Sequence, residues 1–212
     1  MDGSEASLST SPSQYTLSQQ RHFYLAVDRI KFKMETLVDL LRVAGRLPCL
    51  PVVVCCSARD ELDAVYSALS ALSHISIFAL YSDLGEPERM HIFVRFRQAV
   101  MRWNRQSVVA EGERKEEGEC HVIVVTDVCL PLVNSGELPF SARALINYEL
   151  PAKKETYMRR VATCLAADGI AINMVAGGEA VNLRNIEESS GCVISEMPIN
   201  VSLLVLASVY QT

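Results

Sequence analysis

Apolar residues fall along the chain in two alternating kinds of run. VVVCC (52–56), ISIFAL (75–80), HVIVV (121–125), ALINY (144–148) and IAINMV (170–175) are short, continuous and rich in β-branched residues. Runs of that kind mark strands buried on both faces. HFYLAV (22–27) opens the series as a further short, β-rich segment. Between these lie stretches with helical spacing: KMETLVDLLRVA (33–44), where Met34, Leu37, Val38 and Leu41 share a face, then DELDAVYSALSAL (60–72), PERMHIFVRFRQAVMRW (87–103), KKETYMRRVATCLAA (153–167) and EAVNLRNIEESSG (179–191). Strand followed by helix, repeated, predicts an α/β fold: a doubly wound, mostly parallel sheet with helices on both faces. Gly177 and Gly178 read as a turn between the last strand and helix, not as a phosphate loop. Ligands of open parallel sheets sit where the carboxyl ends of strands meet the following loops. The candidates are therefore the residues after each strand: Ser57, Ala58 and Arg59; Tyr81, Ser82 and Asp83; Thr126 and Asp127; Glu149, Leu150 and Pro151.

Composition narrows the picture. With 212 residues, 50% of them hydrophobic, the chain suits one globular domain with a substantial core. Its 25 acidic residues against 20 basic ones give a net charge of -5, the wrong sign for diffuse attraction to phosphates, so any nucleic-acid contact must be local. The seven cysteines are odd in number, lie mostly in apolar runs and show no paired C-x-x-C spacing. They read as core residues of a reducing compartment rather than as disulfides or a zinc site. His22, His74, His91 and His121 are scattered without metal-ligand spacing, so neither a metal nor a cofactor is expected. Residues 1–14 are Ser-rich and acidic with no apolar h-region, which predicts a disordered leader and no secretory signal. The apolar stretch from Val201 to Tyr210 has ten residues, far short of the roughly 20 that span a bilayer, and a cytoplasmic or nuclear protein is expected.

The ordered series VVVCCSARDELD, ALYSDLGEPERMHIFVRFR, HVIVVTD, ALINYELP, YMRRV and GIAINMV resembles the C-terminal RecA-like lobe of DEAD-box RNA helicases, closest to the translation-initiation-factor type. The entry segment from about Tyr15 through Lys33 and Leu37 is similar to the start of that lobe, and EMPINV (196–201) to its end, so the resemblance covers about 15–207. Such a lobe belongs to the P-loop NTPase superfamily, in which the helicases build their ATPase between two lobes. The phosphate loop and acidic magnesium-binding motif lie on the first lobe. This chain holds no G-x-x-x-x-G-K-[ST] and no Asp-Glu-Ala-Asp run. By itself it lacks the phosphate cradle, lysine and metal ligands that phosphoryl transfer needs.

The family's second-lobe motifs are altered as well. After the Thr-Asp pair the chain reads VCLPLVN (128–134), with Pro131, Leu132 and Asn134 where the resemblance expects arginine, glycine and aspartate. In RRVATCLA (159–166) Arg160 is kept, but Thr163 and Ala166 stand where two arginine fingers are expected. A neutral side chain cannot replace a guanidinium against a transferring phosphoryl group. Asn134 and Arg160 remain as nucleotide-side positions, while Arg59, Asp83, Arg89 and Thr126 match the family's RNA-backbone positions. Two neighbours of these have changed: Ala58 replaces a threonine, and Tyr81-Ser82 replaces His-Gly. Arg89 and Asp83 read equally well as an internal ion pair bracing the loop. The expected function is that of a catalytically inactive, helicase-like lobe. It would act as a protein-interaction adaptor or competitor in RNA metabolism, on a protein scaffold such as a helical-repeat protein. The alternative is a weak single-stranded RNA- or nucleotide-binding protein, active only with a first lobe supplied by a partner or longer isoform.

An inserted loop at about 104–120 has no counterpart in the family. Residues 111–120 hold five glutamates against Arg114 and Lys115. Such a run reads first as a solvated loop, and otherwise as an acidic docking segment or a guard against RNA. The helix before it carries Arg95, Arg97, Arg102 and Arg105. These form a solvated basic face or, together with the acidic loop, an intramolecular ion-pair patch.

Overall fold

A computed structural model describes residues 20–44, 50–106 and 119–197. Its seven strands are β1 (Arg21–Val27), β2 (Pro51–Cys56), β3 (Ile75–Leu80), β4 (Cys120–Thr126), β5 (Ala142–Asn147), β6 (Leu165–Ala176) and β7 (Ile194–Glu196). They form one sheet in the order β3-β4-β2-β5-β6-β1-β7, with every neighbouring pair parallel. The crossovers contain α1 (Lys33–Ala44), α2 (Arg59–Ser70), α3 (Glu86–Gln106), α4 (Lys154–Cys164) and α5 (Ala180–Ser190).

Alternation along the strands builds a core on each face of the sheet. Val52, Val54, Val122, Val124, Ile146 and Ile172 pack with Leu37 and Leu41 of α1 and Leu62, Val65 and Leu69 of α2. Val53, Cys55, Ile123, Val125 and Leu145 point the other way, to Phe96 of α3, Tyr157 and Val161 of α4 and Ile186 of α5. Continuous apolar runs are thus explained: each central strand has no solvent face. Cys55, Cys56, Cys120, Cys129, Cys164 and Cys192 are buried, free thiols, as core residues should be.

Beyond shifts of one or two residues at other element ends, the structure departs from the pattern-based expectation in three places. The helix expected over 153–167 stops at Cys164, because Leu165 turns extended (φ -101°, ψ 140°) and starts β6 opposite Ala142. α3 runs on to Gln106. β7 was not expected at all; only Ile194 of its three residues is buried, too short a pattern to read as a strand. The predicted leader at 1–14, the entry stretch at 15–19, most of the acidic insertion and the segment 198–207 lie outside the described residues. No helix among the described residues is long and apolar enough to cross a membrane.

β6 enters the sheet through a register shift opposite Ala142 and Ala144, and Gly169 sits at that point. A Cβ there would lie 2.6 Å from Leu165 Cδ1 and 3.1 Å from the Arg143 carbonyl oxygen. Gly169→Ala is expected to lower stability by about 1–3 kcal/mol, the usual cost of forced overpacking. An unchanged urea midpoint would show that Leu165 moves aside freely.

Candidate functional site

The carboxyl ends of β2, β3 and β4 meet around a pocket of about 150 Å³, walled by Ser57, Arg59, Tyr81, Ser82, Thr126 and Asp127 over an apolar floor of Leu62 and Leu80. α2 begins at this pocket behind Ala58, whose backbone is extended and whose side chain offers no cap. The Ser57 amide instead donates to Glu149 Oε2 at 2.7 Å, so a carboxylate from the end of β5 already occupies one of the amides facing the opening.

Arg59 is half-exposed and engaged twice: it donates to Asp83 Oδ2 at 3.1 Å and lies 4.8 Å over the Tyr81 ring. The hydrogen bond from Arg59 holds the Asp83 carboxyl below its ordinary pKa. Tyr81 in turn donates to Asp63 at 2.7 Å, and that bond, with burial, pushes its pKa to about 12. The Arg89–Asp83 pair expected as an alternative does not form. Asp83 is taken by Arg59, and Arg89 points to the loop after β4, at 3.4 Å from the Cys129 carbonyl oxygen and from Glu137 Oε2, with Phe93 under its guanidinium at 4.9 Å. Thr126 is buried at the strand end, its hydroxyl 3.6 Å from Cys129 Sγ. Of the four residues assigned to RNA contact, Arg59 and Thr126 line the pocket, and Asp83 reaches it through Arg59. Arg89, in the first turn of α3, instead reaches the neighbouring loop after β4.

That loop is held in shape by Glu137, which no spacing in the sequence singles out. Its carboxylate accepts the Leu132 amide at 2.7 Å as well as the Arg89 contact, while the Ser135 amide donates back to the Leu132 carbonyl at 2.9 Å. Gly136 closes the turn in the left-handed region at φ 89°. Asn134 is exposed on this turn. Around it Val128, Leu132, Val133 and Leu138 are 78%, 53%, 46% and 57% exposed. The segment that carries arginine, glycine and aspartate in the resemblance therefore presents aliphatic side chains to solvent.

Arg160 is fully buried. Its Nε and one terminal nitrogen grip both carboxylate oxygens of Asp127 at 2.6 and 2.8 Å. The other terminal nitrogen donates to Asn147 Oδ1 at 3.0 Å and to the Glu149 carbonyl oxygen at 2.8 Å. Burial is the largest single influence and opposes its charge, but the hydrogen bond and charge of Asp127, with the neighbouring Cys55 and Cys164, together leave its pKa raised. The polar chain continues through the core: Asn147 donates to Asn173 (2.8 Å), Asn173 to the Phe23 carbonyl (2.9 Å) and to Tyr157 (3.3 Å), and His22 Nδ1 meets the Tyr157 hydroxyl at 2.7 Å. Burial lowers the pKa of His22 and raises that of Tyr157. Arg160 thus ties the ends of β4 and β5 to α4, and its four donor contacts are all internal. Thr163, also buried, donates to the Arg159 carbonyl at 2.7 Å, and Ala166 lies in β6. Among the described residues, no group of His, Cys, Asp or Glu is placed to hold a metal.

No family model matches the chain. Its sequence is similar to proteins named ATP-dependent RNA helicase eIF4A from Pyricularia oryzae and Neurospora crassa, each 26% identical over 194 residues, 91% of this chain and 42% of the relative. The chain therefore spans less than half the length of these relatives. Among solved structures, the C-terminal domain of the DEAD-box protein Dbp5 aligns with a TM-score of 0.64 at 19% identity, covering 92% of this chain and 98% of that domain. Saccharomyces cerevisiae Dbp5 bound to RNA and ADP BeF3 aligns with a TM-score of 0.67 at 17% identity, covering 91% of this chain and 46% of that one. A Dbp5 variant bound to Gle1 and IP6 aligns at 0.63 and 19% identity, over 92% and 46% of the two chains.

Proposed function

We propose that this chain, which is a C-terminal RecA-like lobe of the DEAD-box RNA helicase type, acts without catalysis as a protein-binding adaptor or competitor in RNA metabolism. The observation that carries this reading is the aliphatic loop after β4. Val128, Leu132, Val133 and Leu138 lie exposed beside the carboxyl ends of the strands, where charged and hydrogen-bonding groups would be needed to hold a nucleotide. Exposed aliphatic clusters of this kind suit a protein surface better than a phosphate chain. A solved relative, Dbp5, is found bound to a protein, Gle1, which supports the class of partner. Affinity purification with the intact chain is expected to enrich protein scaffolds of RNA metabolism. Leu132→Asp combined with Leu138→Asp should reduce that capture at least about tenfold, since each buried leucine contributes roughly 1.5–3 kcal/mol. Equal capture by a folded double variant would remove the loop from the interface.

The pocket favours a second reading, weak binding of single-stranded RNA through its sugar-phosphate backbone. Ser57, Arg59 and Thr126 line an opening at the right end of the sheet, and Dbp5 has been found bound to RNA. Two features weaken such a site: Arg59 is paired with Asp83 and the Ser57 amide with Glu149. RNA affinity on this reading should be low, fall steeply as salt rises, and drop a further few-fold in Arg59→Ala. Fluorescence anisotropy with a labelled oligonucleotide distinguishes this from binding that ignores both changes, which would place RNA elsewhere on the molecule.

A further inference from the structure

Helix α3 carries a surface that neither the core nor the pocket uses. Phe96, Ala99, Val100 and Trp103 turn inward and are buried. On the opposite flank Met90, Val94 and Met101 are 51%, 49% and 54% exposed, aligned by their spacing of four and seven residues. Arg97 and Arg105 fall in the same row and are exposed. Arg95, over the Phe78 ring at 5.8 Å, and Arg102 edge the row on one side. α3 contains no acidic residue after Glu88. Among the described residues, no carboxylate pairs with any of these four arginines. A chain whose net charge is -5 thus gathers four cations on one helix. A cation in the last turn complements the helix dipole, which accounts for Arg105 but not for Arg95 or Arg97 in mid-helix.

We propose that this flank, from Met90 to Arg105, is the docking face for an acidic amphipathic helix of a partner protein. The partner's aliphatic residues pack on Met90, Val94 and Met101 while its carboxylates meet the arginines. Charge complementarity selects the partner's sign, because the row offers cations and no acid. The apolar centre selects its class. Methionine is flexible and polarizable and remoulds around an aliphatic ridge, and helical partners present such ridges every three or four residues. An RNA backbone would satisfy the arginines but set Val94 and Met101 against sugars and phosphates, and the row itself holds no aromatic ring on which a base can stack. A second copy fits worse still: a two-fold pairing lays this acid-free row on itself, arginine against arginine. The row is about 22 Å long, which matches a partner helix of about four turns. It shares no residue with the aliphatic loop after β4 and so forms a contact surface beyond the one proposed above.

The probe is a fluorescein-labelled synthetic helix of about four turns, with leucines repeating every three or four positions, glutamates flanking them and alanine elsewhere. Titrated with the full chain, its anisotropy is expected to saturate with a Kd in the micromolar range. Val94→Asp combined with Met101→Asp, at exposed positions that leave the urea midpoint unchanged, should weaken binding about tenfold. Arg97→Glu combined with Arg105→Glu should weaken it by about the same factor and let a lysine-for-glutamate version of the peptide bind instead, a swap that requires ion pairing across the interface. Leu132→Asp with Leu138→Asp should leave the peptide affinity unchanged, so that failure of this face and failure of the loop after β4 are read separately. No saturable binding at about millimolar protein, or equal binding of a scrambled peptide of the same composition, would overturn the proposal. So would a single-stranded RNA oligonucleotide that displaces the peptide and loses its own affinity in the Arg97→Glu, Arg105→Glu variant, which would make RNA the occupant. A concentration-dependent dimer dispersed by Met101→Asp would likewise overturn it, with a second copy in the partner's place.

Discussion

Arg160→Ala is expected to lower the unfolding free energy by about 3–5 kcal/mol, the cost of leaving a buried charge without its partner. The guanidinium is wholly enclosed and makes four donor contacts. Its removal strands the Asp127 carboxylate at the edge of the core and leaves Asn147 Oδ1 and the Glu149 carbonyl without donors. Domains of this size have a total stability of only about 5–15 kcal/mol, so the variant should be largely unfolded or strongly shifted in a urea titration. Arg160→Lys keeps the charge but not the planar fork that spans Asp127, and is expected to recover only part of the loss. The surface pair of Arg59 and Asp83 gives the contrast: its removal should change the urea midpoint hardly at all. A loss below about 1 kcal/mol in Arg160→Ala would mean that the core readily hydrates or rearranges around the gap, against the reading of Arg160 as the tie between β4, β5 and α4.

The second large effect concerns catalysis. When the purified chain is mixed with an isolated first lobe of a DEAD-box helicase, ATP and RNA, phosphate release is expected to stay at the rate of the first lobe alone. An arginine finger contributes about 10³–10⁵ in rate. Here the two positions assigned to fingers hold Thr163, buried with its hydroxyl on the Arg159 carbonyl, and Ala166, already within β6. The retained Arg160 is committed to Asp127, Asn147 and Glu149 and does not face solvent. Nor should Thr163→Arg restore turnover, because position 163 lies inside the protein, where a new guanidinium would have to be desolvated. RNA-stimulated release above the first-lobe background would contradict the non-catalytic reading outright.

Much of this molecule is legible in its sequence because both faces of the sheet are covered. Every central strand is then a continuous apolar run, and α1 is bounded by its periodicity alone at Lys33 and Ala44. β7 escaped because a three-residue edge strand contributes one buried side chain, Ile194, and leaves no alternation to detect. α4 ended early because Leu165 satisfies a helical and a strand pattern equally well, and only pairing with Ala142 decides between them. The site was less legible for a related reason. A retained arginine such as Arg160 reads identically whether it faces a phosphate or Asp127, and Glu137 has no motif around it. One readable signal was present: Asn147 and Asn173 interrupt otherwise apolar strands, and in the sheet they sit directly opposite each other and share a hydrogen bond. Polar residues at such positions must find a buried partner, and the arginine of α4 is what completes the chain.

The strand order also sets the sequence of events as the polypeptide leaves the ribosome. Only two neighbouring pairs in the sheet, β3 with β4 and β5 with β6, are consecutive in the chain. β2 must wait for β4 and β5 before either of its edges is paired. β1, the earliest of the described strands, pairs with β6 and β7, which begin at Leu165 and Ile194. At roughly 5–20 residues per second of synthesis, β1 stays without a neighbour for about 7–30 seconds, and its pairing is among the most sequence-distant and therefore slowest contacts to form. His22 and Phe23, which join the buried polar chain through Tyr157 and Asn173, acquire their partners only then. Nascent chains of this lobe thus carry β1 without its sheet neighbours while β2 to β5 are made, and the sheet is completed around the earliest of the described strands.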